Sequence, residues 1–244
     1  MKSLSNSFKA VTWNVHYATK VDELEPILED LLSDGVSMFL MQEAGGRDIT
    51  RLLEKHGLET YVFDQYRLAW DPEVWQRLST RHRLTSNKKV IGKRGAVKNH
   101  IVVGRFRHRF SRRKLKVVSY HTPAHVQRPE WNRRAPNRWR VLKDAMALFS
   151  RMARNAGIRH LLFGGDDNVD ESRASGGRKS RFNFLLRTGL KQIQPPSGTH
   201  GNRKIDDFRV KGLEPVGRGY VRPGGGDHKL FVCRFRFKAR RLRN

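Results

Sequence analysis

Blocks of apolar residues alternate with polar ones along the chain, and their periods separate buried strands from amphipathic helices. Residues 8–15 are apolar and rich in β-formers, and predict a buried strand ending at Asn14. Leu24, Ile27, Leu28, Leu31 and Leu32 follow the spacing of one helix face, closed by Asp34-Gly35. Residues 36–41 predict a second buried strand, with Gln42-Glu43 at its C-terminal end. Further strands are expected over residues 115–120, ending at His121, and over residues 160–163, running into Gly164-Gly165-Asp166. Residues 204–210 and 230–237 read as the last two strands, with a turn at residues 223–226. Trp139, Leu142, Met146 and Phe149 mark a long helix that Gly157 stops. The strands are not spaced as a plain run of βαβ units, so the pattern predicts a layered α/β fold with mixed sheets rather than a barrel. No repeat or linker divides the chain, and residues 1–244 read as one domain. A mobile basic loop is expected at 172–182 and a basic tail at 238–244.

Charge narrows the partners. Fifty lysines and arginines face 23 acids, for a formal net charge of +27. Such a balance opposes compaction and favours polyanions, nucleic acid first. The single cysteine, Cys233, excludes an intrachain disulfide and a cysteine-based zinc site. The N-terminal residues lack the apolar core of a signal peptide, and the longest apolar run is too short to span a bilayer. The expectation is a cytoplasmic protein without a membrane partner.

Carboxylate, amide and imidazole side chains recur at the ends of the predicted strands. They are Asn14, Glu43, His121, Asp166 with Asn168, and Asp227-His228 just before the final strand. Strand ends hold side chains rigidly, and active sites gather there. Cleaving a phosphodiester requires a water placed in line with a leaving oxygen and charge neutralised on the phosphoryl oxygens. A hard cation such as Mg²⁺ serves that purpose and prefers oxygen ligands, which Glu43 and Asn14 offer. Asp166 and Asn168 are alternate residues on extended backbone, so both can reach one phosphate.

In chain order the segments are Thr12-Trp13-Asn14-Val15, Gln42-Glu43, Ser119-Tyr120-His121-Thr122, Gly165-Asp166-Asp167-Asn168, Ile205-Asp206-Asp207-Phe208 and Gly226-Asp227-His228. This order resembles the endonuclease/exonuclease/phosphatase superfamily over about residues 8–237. The resemblance implies a four-layered α/β sandwich, deoxyribonuclease I-like, with two packed mixed β-sheets flanked by helices. It implies Mg²⁺ as cofactor, with Mn²⁺ as a substitute, and Glu43 as main metal ligand assisted by Asn14. Asp166 is implied to orient or deprotonate the attacking water, and Asn168 to donate to the phosphate. His228 is implied to act as base or donor with Asp206 fixing its tautomer, Asp227 to help with the metal or its waters, and His121 to contact the phosphate or leaving group.

Two acids depart from the family pattern. Asp167 stands where an apolar residue is usual, and Asp207 where an aromatic one is. Either could repel phosphate, draw a second cation or point to solvent, and Asp207 could replace Asp206 as the histidine's partner.

Basic segments add candidate substrate contacts. Arg105, Arg107 and Arg109 alternate with Phe106, His108 and Phe110, as in a strand with one cationic face. Arg138 lies in a run of arginines interleaved with Trp131 and Trp139. Trp139 falls on the apolar helix face and reads as core, whereas Trp131 reads as a stacking contact. The leading expectation is a metal-dependent nuclease acting on nucleic acid, DNA first, as an endo- or exonuclease. The alternatives are a phosphatase or phosphodiesterase for a small or lipid substrate, and a non-catalytic nucleic-acid binder on a nuclease fold.

Overall fold

The computed structural model describes residues 6–16, 20–92, 95–124, 137–170 and 189–239, with backbone alone at 89–92 and 95–98. The first sheet contains β1 (Ser7–Asn14), β2 (Val36–Gln42), β3 (Glu59–Phe63), β4 (Tyr66–Trp70), β11 (Leu213–Pro215), β12 (Tyr220–Pro223) and β13 (Lys229–Phe237). Its order is β11-β13-β1-β2-β4-β3, with β12 also paired to β13. The second contains β5 (Trp75–Gly92), β6 (Gly95–His108), β7 (Lys114–His121), β8 (Leu161–Asp166), β9 (Lys191–Ile193) and β10 (Asp206–Lys211), in the order β5-β6-β7-β8-β10-β9. Each sheet has one parallel pair at its heart, β1 with β2 and β7 with β8, among antiparallel neighbours.

Three apolar clusters define four layers. Ala10, Met38, Leu40, Leu68, Val102, Val117, Leu162, Phe208 and Phe231 fill the space between the sheets. α1 (Val21–Ser33) and α2 (Arg47–Lys55) cover the first sheet through Leu24, Leu28, Leu31, Leu52 and Leu53. α3 (Asn137–Arg154) covers the second through Leu142, Met146 and Phe149. The layered sandwich with mixed sheets is therefore as expected. Central strands such as β2 are buried on both faces and read as continuous apolar runs. Among the described residues, no helix is long and apolar enough to cross a membrane.

Several sequence expectations need correction. β10 and β13 are not consecutive, because the short β11 and β12 intervene and both pair with β13. β8 extends through Gly164 and Gly165 to Asp166. The alternation expected to run to Phe110 ends at His108, beyond which Arg109 turns back onto the Pro72 carbonyl and Phe110 is half exposed. Trp139 packs, partly buried, against the α3 cluster. The loop at 172–182 lies outside the described residues, as does the basic tail beyond Ala239.

Candidate active site

Four strand ends and two strand starts meet at a single edge of the sandwich. Asn14 is the last residue of β1 and stands beside Gln42 in register. His121 and Asp166 end the parallel pair β7 and β8 directly opposite one another. The antiparallel β10 begins at the same level, with Asp206 opposite Asp166. His228 immediately precedes β13, the other neighbour of β1. Gly165 permits this closeness, since a Cβ there would lie 2.0 Å from the Tyr120 carbonyl oxygen of β7. Glu43 and Asn168 lie just past their strands at φ 54 and 52. That left-handed backbone is uncommon outside glycine, and such strain clusters at functional sites.

Asp166 is the hub. Asn14 Nδ2 donates to its Oδ2 at 3.3 Å across the gap between the sheets. His121 Nε2 lies 3.4 Å and His228 Nε2 3.8 Å from the same oxygen. The Asn168 backbone N–H donates to Asp166 Oδ1 at 2.6 Å. Burial opposes the charge on Asp166, but His121, His228 and the Asn168 N–H hold its carboxyl below the ordinary value. His228 Nδ1 lies 2.9 Å from Asp206 Oδ2. Burial again opposes the imidazolium, yet Asp206, then Asp166 and Asp227, push the His228 pKa up to about 9. Asp206 is held above its usual value by burial and by the Asp166 charge. For His121, burial is outweighed by Asp166 and Glu43, which raise its pKa.

Surrounding contacts fix these groups in place. Asn14 also donates to Glu43 Oε1 at 3.4 Å, and its Oδ1 accepts the His16 N–H at 3.1 Å. Asn168 Nδ2 donates to the Thr122 carbonyl and stands 2.9 Å from His121 Nε2. The turn carrying Glu43 is held by Arg67, which is fully buried on β4 and donates to the carbonyls of Ala44 and Gly46, each at 2.9 Å. Thr199 Oγ1 accepts the Asp206 N–H at 3.1 Å.

Sequence reasoning missed Thr199, His200, Arg203 and Arg67. His200 stacks obliquely on His228 with ring centroids 4.7 Å apart, and Arg203 Nη2 donates to the Asn168 carbonyl at 3.3 Å. Thr199, His200 and Arg203 sit in or beside a tight turn with no strand or helix period to mark them. Arg67 looks like any surface cation until its burial is known.

Asp227 stays beside His228 at the margin of this edge, and the other candidates lie away from it. Asp227 is half exposed and faces His200 at 3.4 Å rather than Glu43. Arg138 is buried on α3 and donates to the Ala124 carbonyl at 2.5 Å, while Arg105 is exposed on the outer face of the second sheet. Trp131 lies outside the described residues. The two unexpected acids are buried on the far face of the second sheet. There Arg209 pairs with both Asp167 and Asp207, and Asp207 also accepts from Tyr120 Oη at 2.8 Å and Gln192 Nε2 at 2.5 Å. They point to neither phosphate nor solvent, and Asp206 is the carboxylate that faces His228.

The donor set suits a divalent cation. Glu43, Asp166 and Asp206 bring three carboxylates to one edge of a chain with net charge +27, with the Asn14 amide among them. Among the described residues, Asp166, Asp206 and His228 form one cluster of ligand atoms within 4.8 Å of each other, and His200, Asp227 and His228 form another. A site dominated by oxygens fits hard ions of the Mg²⁺ or Mn²⁺ type.

No family model and no curated protein matches the sequence. Solved structures do match in shape. The human Nocturnin catalytic domain with bound sulfate is 16% identical with TM-score 0.68, covering 96% of each chain. An endonuclease/exonuclease/phosphatase from Bacteroides vulgatus is 11% identical with TM-score 0.73, covering 95% of this chain and 99% of that one. D. rerio TDP2 complexed with single-strand DNA product is 10% identical with TM-score 0.72, covering 94% and 98%. The fold is that of the endonuclease/exonuclease/phosphatase, or deoxyribonuclease I-like, superfamily.

Proposed function

We propose that this chain is a divalent-metal-dependent phosphodiesterase that hydrolyses nucleic acid, DNA first, with the cytoplasm as its compartment. The observation that carries this reading is the buried Asp166 carboxylate, approached by Asn14, His121 and His228 at the edge where both sheets end. A buried carboxylate held towards its ionised form beside two imidazoles whose pKa values it raises is a base flanked by proton donors, the arrangement that general acid–base hydrolysis needs.

The residues divide the work. Asp166 takes a proton from the attacking water. His228, charged at neutral pH and held through Nδ1 by Asp206, donates from Nε2 to a phosphoryl oxygen. His121 supplies the proton that the leaving oxygen needs when the P–O bond breaks. Asn168 and Arg203 lie where they can steady the phosphate. Glu43 and Asn14 would hold Mg²⁺ or Mn²⁺, which when bound neutralises phosphoryl charge and favours ionisation of water.

Net charge of +27 supports a polymeric polyanion over a small phosphate ester, which needs only a local basic pocket. The test is a cleavage assay on duplex DNA, single-stranded DNA, RNA and small phosphate esters. Turnover of a nucleic acid with Mg²⁺ or Mn²⁺, and none with chelator, is expected. Preference for small esters selects a phosphatase, and binding without cleavage in any metal selects a non-catalytic binder.

A further inference from the structure

Residues 75–121 contain fifteen lysines and arginines and no aspartate or glutamate. This stretch folds into β5, β6 and β7, one half of the second sheet. Residues directly opposite on paired strands share a face. Arg105 stands opposite Lys116 and Ser79, Arg81 opposite Val103, and Arg83 opposite Ile101. Val103 and Ile101 pack in the cluster under α3, so these four cations lie on the outer face of the sheet, not between the sheets. Arg81, Arg83 and Arg105 are exposed and Lys116 is half-buried. Among the described residues, no ion pair joins any of the four to a carboxylate. Burial and the nearby Arg81, Arg83 and Arg105 hold the Lys116 amine below its ordinary pKa.

Four cations crowded on adjacent strands, with no acid among them, are unfavourable in the free protein and are relieved by a polyanion. We propose that this outer face is a second nucleic-acid contact, a track for the phosphate backbone separate from the catalytic edge. Lys116 lies five residues along β7 from His121, about 17 Å at strand rise. That span corresponds to about five nucleotide steps of duplex. Arg83, across β6 from Tyr120, marks the end of the track nearest the hydrolytic edge and Lys116 the far end, so a substrate that runs the length of the track extends several nucleotides beyond the scissile phosphate.

The inference rests on nucleic acid being the partner, but not on catalysis. It is tested by fluorescence anisotropy with a labelled 30-nucleotide duplex and the full chain in chelator, over a range of salt. R81Q/R83Q/R105Q removes three charges from the track. R51Q/R218Q/R236Q removes three exposed charges from the side of the first sheet. Thermal melts confirm that both variants fold. The track variant is expected to lose about tenfold or more in affinity at 0.1 M salt, with a log–log salt slope shallower by about 3. The control variant is expected to change little. Equal losses in both variants, or no loss in the track variant, overturn the inference, as does a parent that does not bind the duplex. If the parent cleaves nucleic acid while the track variant binds normally, this inference fails and the hydrolase reading stands. If the track variant alone loses binding while the parent cleaves nothing, the reverse holds.

Discussion

Asn14 and Asp166 are 152 residues apart, yet the amide of one donates to the carboxylate of the other at 3.3 Å, joining the ends of β1 and β8 across the two sheets. Asp166 also anchors both imidazoles at this edge. Asp166→Asn keeps the size of the side chain but removes its charge. It is expected to lower turnover by about 10²–10⁴-fold, the usual worth of a positioned acid or base. It should also lower the pKa values of His121 and His228, because the charge that raises both is gone. Proton NMR of the two imidazoles in the metal-free protein measures this. Unchanged histidine titrations together with full turnover would show that Asp166 is not the hub.

The pair formed by His228 and Asp206 sets a pH dependence. The folded pKa of His228, about 9, lies above the ordinary 6.5. A raised imidazole stabilises the fold in full below about pH 6.5, and that contribution fades as pH climbs through 9. Asp206→Asn removes the leading partner, so the His228 titration should fall towards its ordinary value. Melting curves from pH 6 to pH 10 should then lose the part of their decline that belongs to this pair. A His228 titration that stays near 9 in the variant would assign the shift to other groups.

Much of this edge was legible because buried strands announce their ends. Asn14, His121 and Asp166 each terminate an apolar run, and a polar head there is visible without any structure. β5 was not legible, since Arg77, Ser79, Arg81 and Arg83 are interleaved with Gln76, Thr80 and His82, so neither side of its pleat is apolar in sequence. Asp167 and Asp207 looked like intruders in the site because a sequence does not show which face of a strand a residue takes. Here the alternation of β10 sends Asp206 towards His228 and Asp207 to the opposite face, onto Tyr120. Arg67 was invisible for another reason. Its partners include backbone carbonyls, and a sequence marks no carbonyl as special.

Arg67 gives the clearest test of how Glu43 is held. Four hydrogen bonds leave its guanidinium, to Ala44 O, Gly46 O, Thr50 Oγ1 and Thr60 Oγ1. Arg67→Met leaves these acceptors without that donor, two of them carbonyls just after Glu43. A loss of about 3–5 kcal/mol in stability is expected, as several buried acceptors lose a charged donor together. Where the variant still folds, Mn²⁺ affinity read by calorimetry should fall, because the backbone at Glu43 sits at φ 54 and needs that support. Loss of stability with metal affinity intact would separate Arg67 from the site.

Arg209 is 1% exposed and pairs with the carboxylates of Asp167 and Asp207, which adjoin Asp166 and Asp206 respectively. Removing the cation alone strands two buried charges, so Arg209→Met is expected to cost about 3–5 kcal/mol. Neutralising the acids as well changes the balance. In the triple variant R209M/D167N/D207N neither position 167 nor position 207 carries a stranded charge, and position 207 still offers a polar partner to Tyr120 and Gln192. Buried ion pairs replaced as a unit are often neutral in stability, so the triple variant should recover most of the loss. Denaturant unfolding of the parent, the single variant and the triple variant measures this. If the triple variant is no more stable than R209M, the cost lies in lost packing around the guanidinium and not in the stranded carboxylates.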